Sequence, residues 1–120
     1  MAKIDSELRA VPHDTATAEG VGVWQAVEQA IQDRNIDLIV LGTHGRTHAR
    51  KLLLGSIAEE ILRRSSVPVL TVGPHVQKNT ITSGAFHSVL FATDFSKACE
   101  AAAPFAVSLT EENDARLILL

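Results

Sequence analysis

Apolar positions along the chain follow two patterns, one typical of amphipathic helices and one typical of buried strands. Residues 23–34 predict a helix, because apolar side chains recur there at the spacing of one helix face: Val23, Ala26, Val27, Ala30 and Ile31. Four runs are almost entirely apolar, which is typical of parallel strands buried on both faces: 36–41, 67–72, 88–92 and 116–120. Two further helices are predicted at 56–64 and 96–109, and a further strand at 7–11.

The alternation of helices and strands predicts an α/β fold of three layers, with helices on both faces of an open, mainly parallel sheet of five strands. Pro68 cannot donate to a sheet, so we expect it at a sheet edge or at the start of its strand. Pro104 predicts a kink in the last helix, because one backbone hydrogen bond is lost there. Residues 74–87 are interpreted as a linker between two parts, residues 1–73 and 88–120. We expect these two parts to form one compact unit together, either within one chain or across a dimer.

The strongest candidate chemistry lies in a glycine-bearing segment directly after the strand at 36–41. It contains a G-x-x-G tetrad, nine intervening residues and a Gly-Ser pair: Gly42, Thr43, His44 and Gly45, then Gly55 and Ser56. Backbone N–H groups converge where a strand leads through such a loop into a helix, and the helix dipole favours an anion there. The pattern therefore predicts a phosphate site, and a nucleotide is the leading ligand hypothesis.

The residue types at these positions suit a phosphate ligand. Gly42 would let a ligand approach the strand end, and Gly45 permits a tight turn. Gly55 leaves the first helical N–H groups uncovered, while the Ser56 hydroxyl can bind a phosphate oxygen or cap the helix. The chain has a net charge of -3, yet the intervening segment is basic: His44, Arg46, His48, Arg50 and Lys51. The alternative is that the glycines only shape turns and the charges form a solvated loop.

The spacing of this segment separates it from the two commonest phosphate loops. No lysine precedes Ser56, as a Walker loop requires, and the dinucleotide fingerprint G-x-G-x-x-G is absent. G-x-x-G, nine residues and G-Ser/Thr instead resemble the nucleotide motif of the universal stress protein family. Residues 37–72 (DLIVLGTHGRTHARKLLLGSIAEEILRRSSVPVLTV) and residues 86–120 (FHSVLFATDFSKACEAAAPFAVSLTEENDARLILL) resemble that family as well.

The two blocks stand in the reverse of the family's order. The block that resembles the beginning of the family's domain, residues 88–120, follows the block that resembles its end. The chain is thus similar to the middle of a tandem protein or to a permuted domain. The resemblance implies the adenine nucleotide alpha hydrolase-like sheet, with strand order 3-2-1-4-5 and the ligand between the first and fourth strands. A linker of this length reaches up to ~50 Å, so closure within one chain and exchange of halves in a homodimer are both open; we expect the homodimer.

The resemblance also implies a ligand, an adenine nucleotide such as ATP, with or without Mg²⁺. It implies ribose and phosphate contacts from Leu41, Gly42, Thr43, His44, Gly45 and Arg46, and further phosphate contacts from Gly55, Ser56 and Ile57. It implies adenine and ribose contacts from Ala92, Thr93 and Asp94. The alternative for Asp94 is a helix-start role together with Ser96. The resemblance further implies that a residue just beyond the family's second strand covers adenine, and this sequence stops at Leu120, before that position.

Composition narrows the classes of protein to consider. Cys99 is the single cysteine, which excludes an intrachain disulfide and suits a cytoplasmic protein. No apolar run approaches the ~20 residues of a membrane span, and the acidic net charge argues against nucleic acid as a partner.

Other candidate sites are weaker. His44 and His48 have no nearby carboxylate to complete a metal site, and no nucleophile triad is present.

These observations predict a nucleotide-binding regulatory protein without efficient enzymatic activity. The alternative from another class is a dimerisation or interaction module that has lost nucleotide binding. A nucleotidyl-transferring enzyme of related architecture is disfavoured, because residues 93–96 do not form a glycine-rich loop after their strand.

Overall fold

The computed structural model describes residues 8, 11–20, 22–43, 55–76 and 86–120. Helices and strands follow one another in these residues in the order α1 (Val23–Arg34), β1 (Ile39–Gly42), α2 (Ser56–Arg64), β2 (Val69–Val72), β3 (Ser88–Phe91), α3 (Lys97–Glu112) and β4 (Arg116–Leu119). All the described strands pair in parallel, as an α/β fold requires. The chain divides into two compact units, Met1–Pro74 and His75–Leu120.

In the first unit, β1 and β2 pair in parallel from Ile39 opposite Val69 to Gly42 opposite Val72. The Ile39 N–H donates to the Pro68 carbonyl at 3.0 Å, so the ladder begins at the residue before β2. Pro68 lies directly before β2 rather than within it, so the ladder does not require its missing N–H, and the predicted strand start at residue 67 is two residues too early.

The start of β1 is later than predicted because the end of α1 extends towards it. Asn35 caps α1 in the left-handed conformation, with φ 50°, and its N–H donates to the Ile31 carbonyl. The Ile36 N–H also donates to the Ile31 carbonyl, at 3.2 Å. Backbone groups that pair with the helix are not available to the sheet, so the prediction of a strand from residue 36 is wrong for 36–38.

The strand predicted at 7–11 lies mostly outside the described residues. The Val11 N–H donates to the Leu8 carbonyl at 3.1 Å, which is the i,i+3 spacing of a turn. At these two residues the prediction is wrong, because local pairing replaces pairing with a neighbouring strand.

The buried apolar side chains of the first unit lie where α1 meets α2. Trp24, Ala58 and Ile61 are each at most 6% exposed. The Arg64 guanidinium lies 5.0 Å from the Trp24 ring centroid, a cation–π contact that covers one face of the indole. Pairs of opposite charge run along α2 at i,i+4 spacing, with Glu59 to Arg63 at 3.5 Å and Glu60 to Arg64 at 2.9 Å. These charges therefore form a solvated helix face, as their spacing predicts.

In the second unit, β3 and β4 pair in parallel and α3 packs against both strands. Val89, Phe91 and Leu117 are half-buried, whereas the alternating positions Leu90 and Ile118 are exposed. One face of this sheet is therefore better covered than the other. The helix α3 is longer than predicted and continues past Pro104 to Glu112, and the kink at Pro104 stays a prediction.

The four described strands form two separate two-stranded sheets. Their union with a fifth strand in one three-layer sheet stays a prediction, as does the role of residues 74–87 as a linker. Within the part of the chain that the structure describes, we find no helix with the length and apolar character needed to cross a membrane.

Candidate functional site

The phosphate segment predicted in the first unit begins where β1 ends. The Thr43 N–H donates to the Val72 carbonyl at 3.1 Å, and the Thr43 hydroxyl donates to the same oxygen at 3.4 Å. The Gly55 N–H in turn donates to the Thr43 carbonyl at 2.9 Å. The carboxyl ends of both strands and the start of α2 are thus joined through one residue, Thr43.

Residues 44–54 complete the predicted segment but lie outside the described residues. The predicted contacts of His44, Gly45 and Arg46 belong to this range, as do the other basic side chains between the glycines. Leu41, Gly42, Thr43, Gly55, Ser56 and Ile57 are described, and the structure places them at the two ends of the segment.

The helix α2 begins without a side-chain cap. Gly55 is its N-cap residue in an extended conformation, with φ -58° and ψ 145°. The first i,i+4 bond of the helix runs from the Glu59 N–H to the Gly55 carbonyl at 2.9 Å. The N–H groups of Ser56, Ile57 and Ala58 precede this bond and so lack an i,i+4 acceptor in the helix. Gly55 and not Ser56 is the N-cap residue, so the capping alternative for the Ser56 hydroxyl is not present, and its contact with phosphate stays a prediction.

The two described glycines of the segment differ in what surrounds them. A Cβ added to Gly55 would lie 3.3 Å from the Thr43 carbonyl oxygen, which is tighter than an ordinary contact. A Cβ added to Gly42 would meet no heavy atom of the described residues within 4 Å. Gly55 therefore lies at the crowded joint between β1 and α2, whereas no described atom contacts the Cβ position of Gly42.

In the second unit, the predicted sugar and base contacts lie in the turn between β3 and α3. The Thr93 N–H donates to the Leu120 carbonyl at 2.8 Å, which extends the ladder of β3 and β4 by one bond. The Thr93 hydroxyl oxygen then accepts from the Phe95 N–H at 3.0 Å. The Asp94 Oδ1 atom accepts from the Ser96 N–H at 2.9 Å. Two successive side chains thus hold the backbone of this turn.

Ser96 closes the turn as the N-cap of α3, because its Oγ accepts from the Cys99 N–H at 3.4 Å. Hydrogen bonds from the Ser96 side chain and then its backbone N–H, together with the Cys99 side chain, lower the pKa of Asp94 from 3.8 to about 2. Asp94 is therefore ionised at neutral pH and exposed to solvent. Its helix-start role is present in the structure, and its contact with a ligand stays a prediction.

One residue of this turn was missed by sequence reasoning. Phe95 has a φ of 58°, in the left-handed region that a bulky side chain seldom adopts. Its side chain is 82% exposed. An aromatic residue between two turn-forming polar residues was the available signal, but its conformation depends on hydrogen bonds that periodicity does not reveal. Among the described residues we find no group of three or more side chains that could hold a metal ion.

Comparison with known proteins agrees with the sequence motif. The model of the universal stress protein family matches residues 3–73. The chain is 33% identical over 73 residues to universal stress protein MJ0577 of Methanocaldococcus jannaschii, which is 60% of this chain and 45% of that protein. It is 43% identical over 58 residues to universal stress protein MJ0531 of the same organism, a match that covers 48% of this chain and 34% of that protein.

A universal stress protein of Mycolicibacterium smegmatis is 35% identical over 65 residues, with 54% of this chain and 50% of that protein covered. The chain therefore matches half or less of the length of each of these curated relatives. No solved structure matches it significantly.

Proposed function

The chain belongs to the universal stress protein family, and from this membership we propose that it binds an adenine nucleotide, ATP or a close relative, as a regulatory ligand. For the first unit we propose phosphate contacts at the junction of β1 and α2, and for the second unit, taken by itself, contacts to a sugar or base in the turn between β3 and α3. Mg²⁺ would accompany the phosphates where the nucleotide carries it.

The observation that supports this proposal best is the joint between β1 and α2. The hydrogen bond from the Gly55 N–H to the Thr43 carbonyl brings the uncapped start of α2 to the carboxyl end of β1. Uncovered N–H groups at a helix start favour an anion, because the helix dipole is positive there. The open space beside Gly42 lies at the same strand end, which is where α/β sheets bind ligands. Glu59 in the first turn opposes an anion, but its charge is paired with Arg63.

The second unit presents the complementary chemistry. The Asp94 carboxylate is ionised and exposed at the carboxyl end of β3. A carboxylate accepts hydrogen bonds only, so it suits the hydroxyl groups of ribose or the amino group of adenine. Phosphate would be repelled by the same charge. The two turns therefore suit opposite parts of a nucleotide.

We propose a regulatory rather than an enzymatic role, as the resemblance to the family implies. The described side chains of the turn between β3 and α3 bond the backbone of that turn. A ligand that binds only the folded protein stabilises it by mass action, by ~2.7 kcal/mol at a hundred times the dissociation constant. We further propose that the protein is cytoplasmic, forms a homodimer, and joins its strands into the five-stranded sheet of its family.

The test is calorimetric titration of the chain with Mg-ATP, compared with Gly42→Ala and Gly73→Ala variants. Neither glycine has a described heavy atom within 4 Å of an added Cβ, so both variants should keep the fold. We expect about one nucleotide per chain, and affinity at least about tenfold lower in Gly42→Ala alone, because the methyl group occupies ligand space. A folded wild-type chain that gives no heat of binding would contradict the proposal.

The alternative function, an interaction module without a nucleotide, is favoured by exposed apolar side chains on both sheets. Val40 and Leu70 are 59% and 48% exposed in the first unit, and Leu90 and Ile118 are 59% and 40% exposed in the second. Surfaces of this kind favour association. A folded, dimeric chain without affinity for ATP in the same titration would support this alternative.

A further inference from the structure

We propose that the ring of Phe95 is the surface on which the adenine base stacks, and hence the residue that selects a nucleotide over a bare polyphosphate. This inference rests on the proposed binding of an adenine nucleotide. It assigns a role to a residue that the motif comparison leaves without one.

The first observation is the backbone of Phe95. A left-handed φ of 58° is costly for a side chain with a Cβ, and it persists only where the surroundings impose it. Here the Thr93 hydroxyl accepts the Phe95 N–H, and the Asp94 carboxylate accepts the next N–H. A glycine would adopt this conformation without strain. The position therefore carries a phenyl ring at a conformational cost.

The second observation is that the ring of Phe95 buries little surface in the second unit and so contributes little to its stability. Phe95 is 82% exposed, whereas Phe91, four residues earlier, is half-buried. The ring borders a hollow of about 200 Å³ whose wall also includes one carboxylate, Glu100, beside Phe91, Thr93, Cys99, Ala103 and Leu119. The wall is mainly apolar, so it accepts a flat base better than a sugar or a phosphate.

The third observation is what lies beside the ring. Asp94 precedes Phe95 and carries an ionised, exposed carboxylate. An aromatic face next to a hydrogen-bond acceptor matches adenosine, which offers a flat base together with amino and hydroxyl donors. Bases stack on aromatic side chains irrespective of sequence context, because every base presents a π-face. Stacking explains both the aromatic residue and its exposure.

The test compares Phe95→Ala, Phe95→Leu and Phe95→Trp in titrations with Mg-ATP and with inorganic tripolyphosphate. We expect the alanine and leucine variants to bind ATP about tenfold more weakly, as loss of a base stack predicts. Their affinity for tripolyphosphate should be unchanged, and the tryptophan variant should bind ATP at least as well as the wild type. Phe105→Ala is the matched control, since Phe105 is a 53% exposed aromatic residue of α3 in the same unit.

A Phe95→Gly variant separates binding from folding. Glycine relieves the left-handed strain, so its unfolding temperature should equal or exceed that of the wild type while ATP affinity falls. A marked loss of thermal stability in Phe95→Gly would show that protein atoms cover the ring, and would overturn the inference. Unchanged ATP affinity in Phe95→Ala would overturn the stacking role of Phe95 but not the proposed binding of a nucleotide. A wild-type chain that binds no ATP would overturn both.

Discussion

The two units build the same junction, a parallel strand leading through a turn into a helix, by different means. At the junction of β1 and α2, one backbone hydrogen bond between Gly55 and Thr43 makes the joint, and the helix has no side-chain cap. At the junction of β3 and α3, three side chains bond the backbone: Thr93, Asp94 and Ser96. Among the described residues, no side chain caps the first N–H groups of α2, whereas the second junction bonds the N–H groups of Phe95, Ser96 and Cys99 to its own side chains and presents a carboxylate.

The difference between the junctions is the basis on which we propose opposite ligand preferences for them. A helix start without a side-chain cap favours anions, so we propose phosphate as the ligand of the glycine junction. A capped helix start next to an ionised Asp94 repels anions and accepts from hydroxyl or amino groups. Under this proposal, the choice between glycine and short polar side chains in the turn decides which part of a nucleotide each junction binds.

The largest expected effect comes from placing a side chain in the glycine junction. Gly55→Val should reduce ATP affinity by at least about a hundredfold, because valine covers the first N–H groups of α2 and crowds the Thr43 carbonyl. The fold should largely survive, since a φ of -58° suits any residue. Calorimetry gives the affinity, and circular dichroism checks the fold. A folded variant that still binds ATP would refute the assignment of this junction to phosphate.

An intermediate effect on stability should come from removing the serine hydroxyl near each helix start, and the size of this effect should differ between the two junctions. Ser96→Ala removes the N-cap bond to the Cys99 N–H and should lower the free energy of unfolding by ~1 kcal/mol. Ser56→Ala removes no cap bond, so it should leave stability nearly unchanged while weakening nucleotide binding. Urea denaturation of both variants measures the difference. Equal losses of stability would mean that the two helix starts are not distinct in this way.

The smallest expected effect is a decrease in the free energy of unfolding at acidic pH. The pKa of Asp94 is about 2 in the folded chain and 3.8 as its ordinary value, so the ionised carboxylate favours folding. This contribution is complete above about pH 4 and is lost as the pH falls from about 4 to about 2. Asp94 is exposed, so the effect should be small.

Thermal unfolding of wild type and Asp94→Asn at pH 5, 3 and 2 measures this effect. The wild type should lose more stability than the variant on the acid side, since asparagine does not titrate. Parallel losses in both proteins would contradict the role assigned to the carboxylate. The first junction contains no carboxylate held in this way among its described residues, so Glu59→Gln, which removes a carboxylate paired at 3.5 Å, is the control.

Much of the fold could be predicted because its signals are local. The amphipathic spacing of α1 and α2 and the apolar runs of four strands depend on neighbouring residues. The start of β1 was harder, because the left-handed Asn35 lets the Ile36 N–H pair with the end of α1, and the strand begins only at Ile39. Glycine spacing pointed to the candidate site at Gly42 and Gly55, whose contacts with a ligand stay predictions, and it gave no signal for the role that we propose for Phe95.

The amino-acid sequence alone determined the family, the α/β class and the positions of both junctions, since these follow from periodicity and from a motif of fixed spacing. The tertiary structure decided how each junction is held: which helix start is capped, which glycine is crowded and which is open, and why the pKa of Asp94 is low. These properties depend on distances between groups that the chain brings together by folding, such as the Thr43 carbonyl and the Gly55 N–H, twelve positions apart in the sequence. Residue order specifies which groups are present, and only their arrangement in space sets what each can bind.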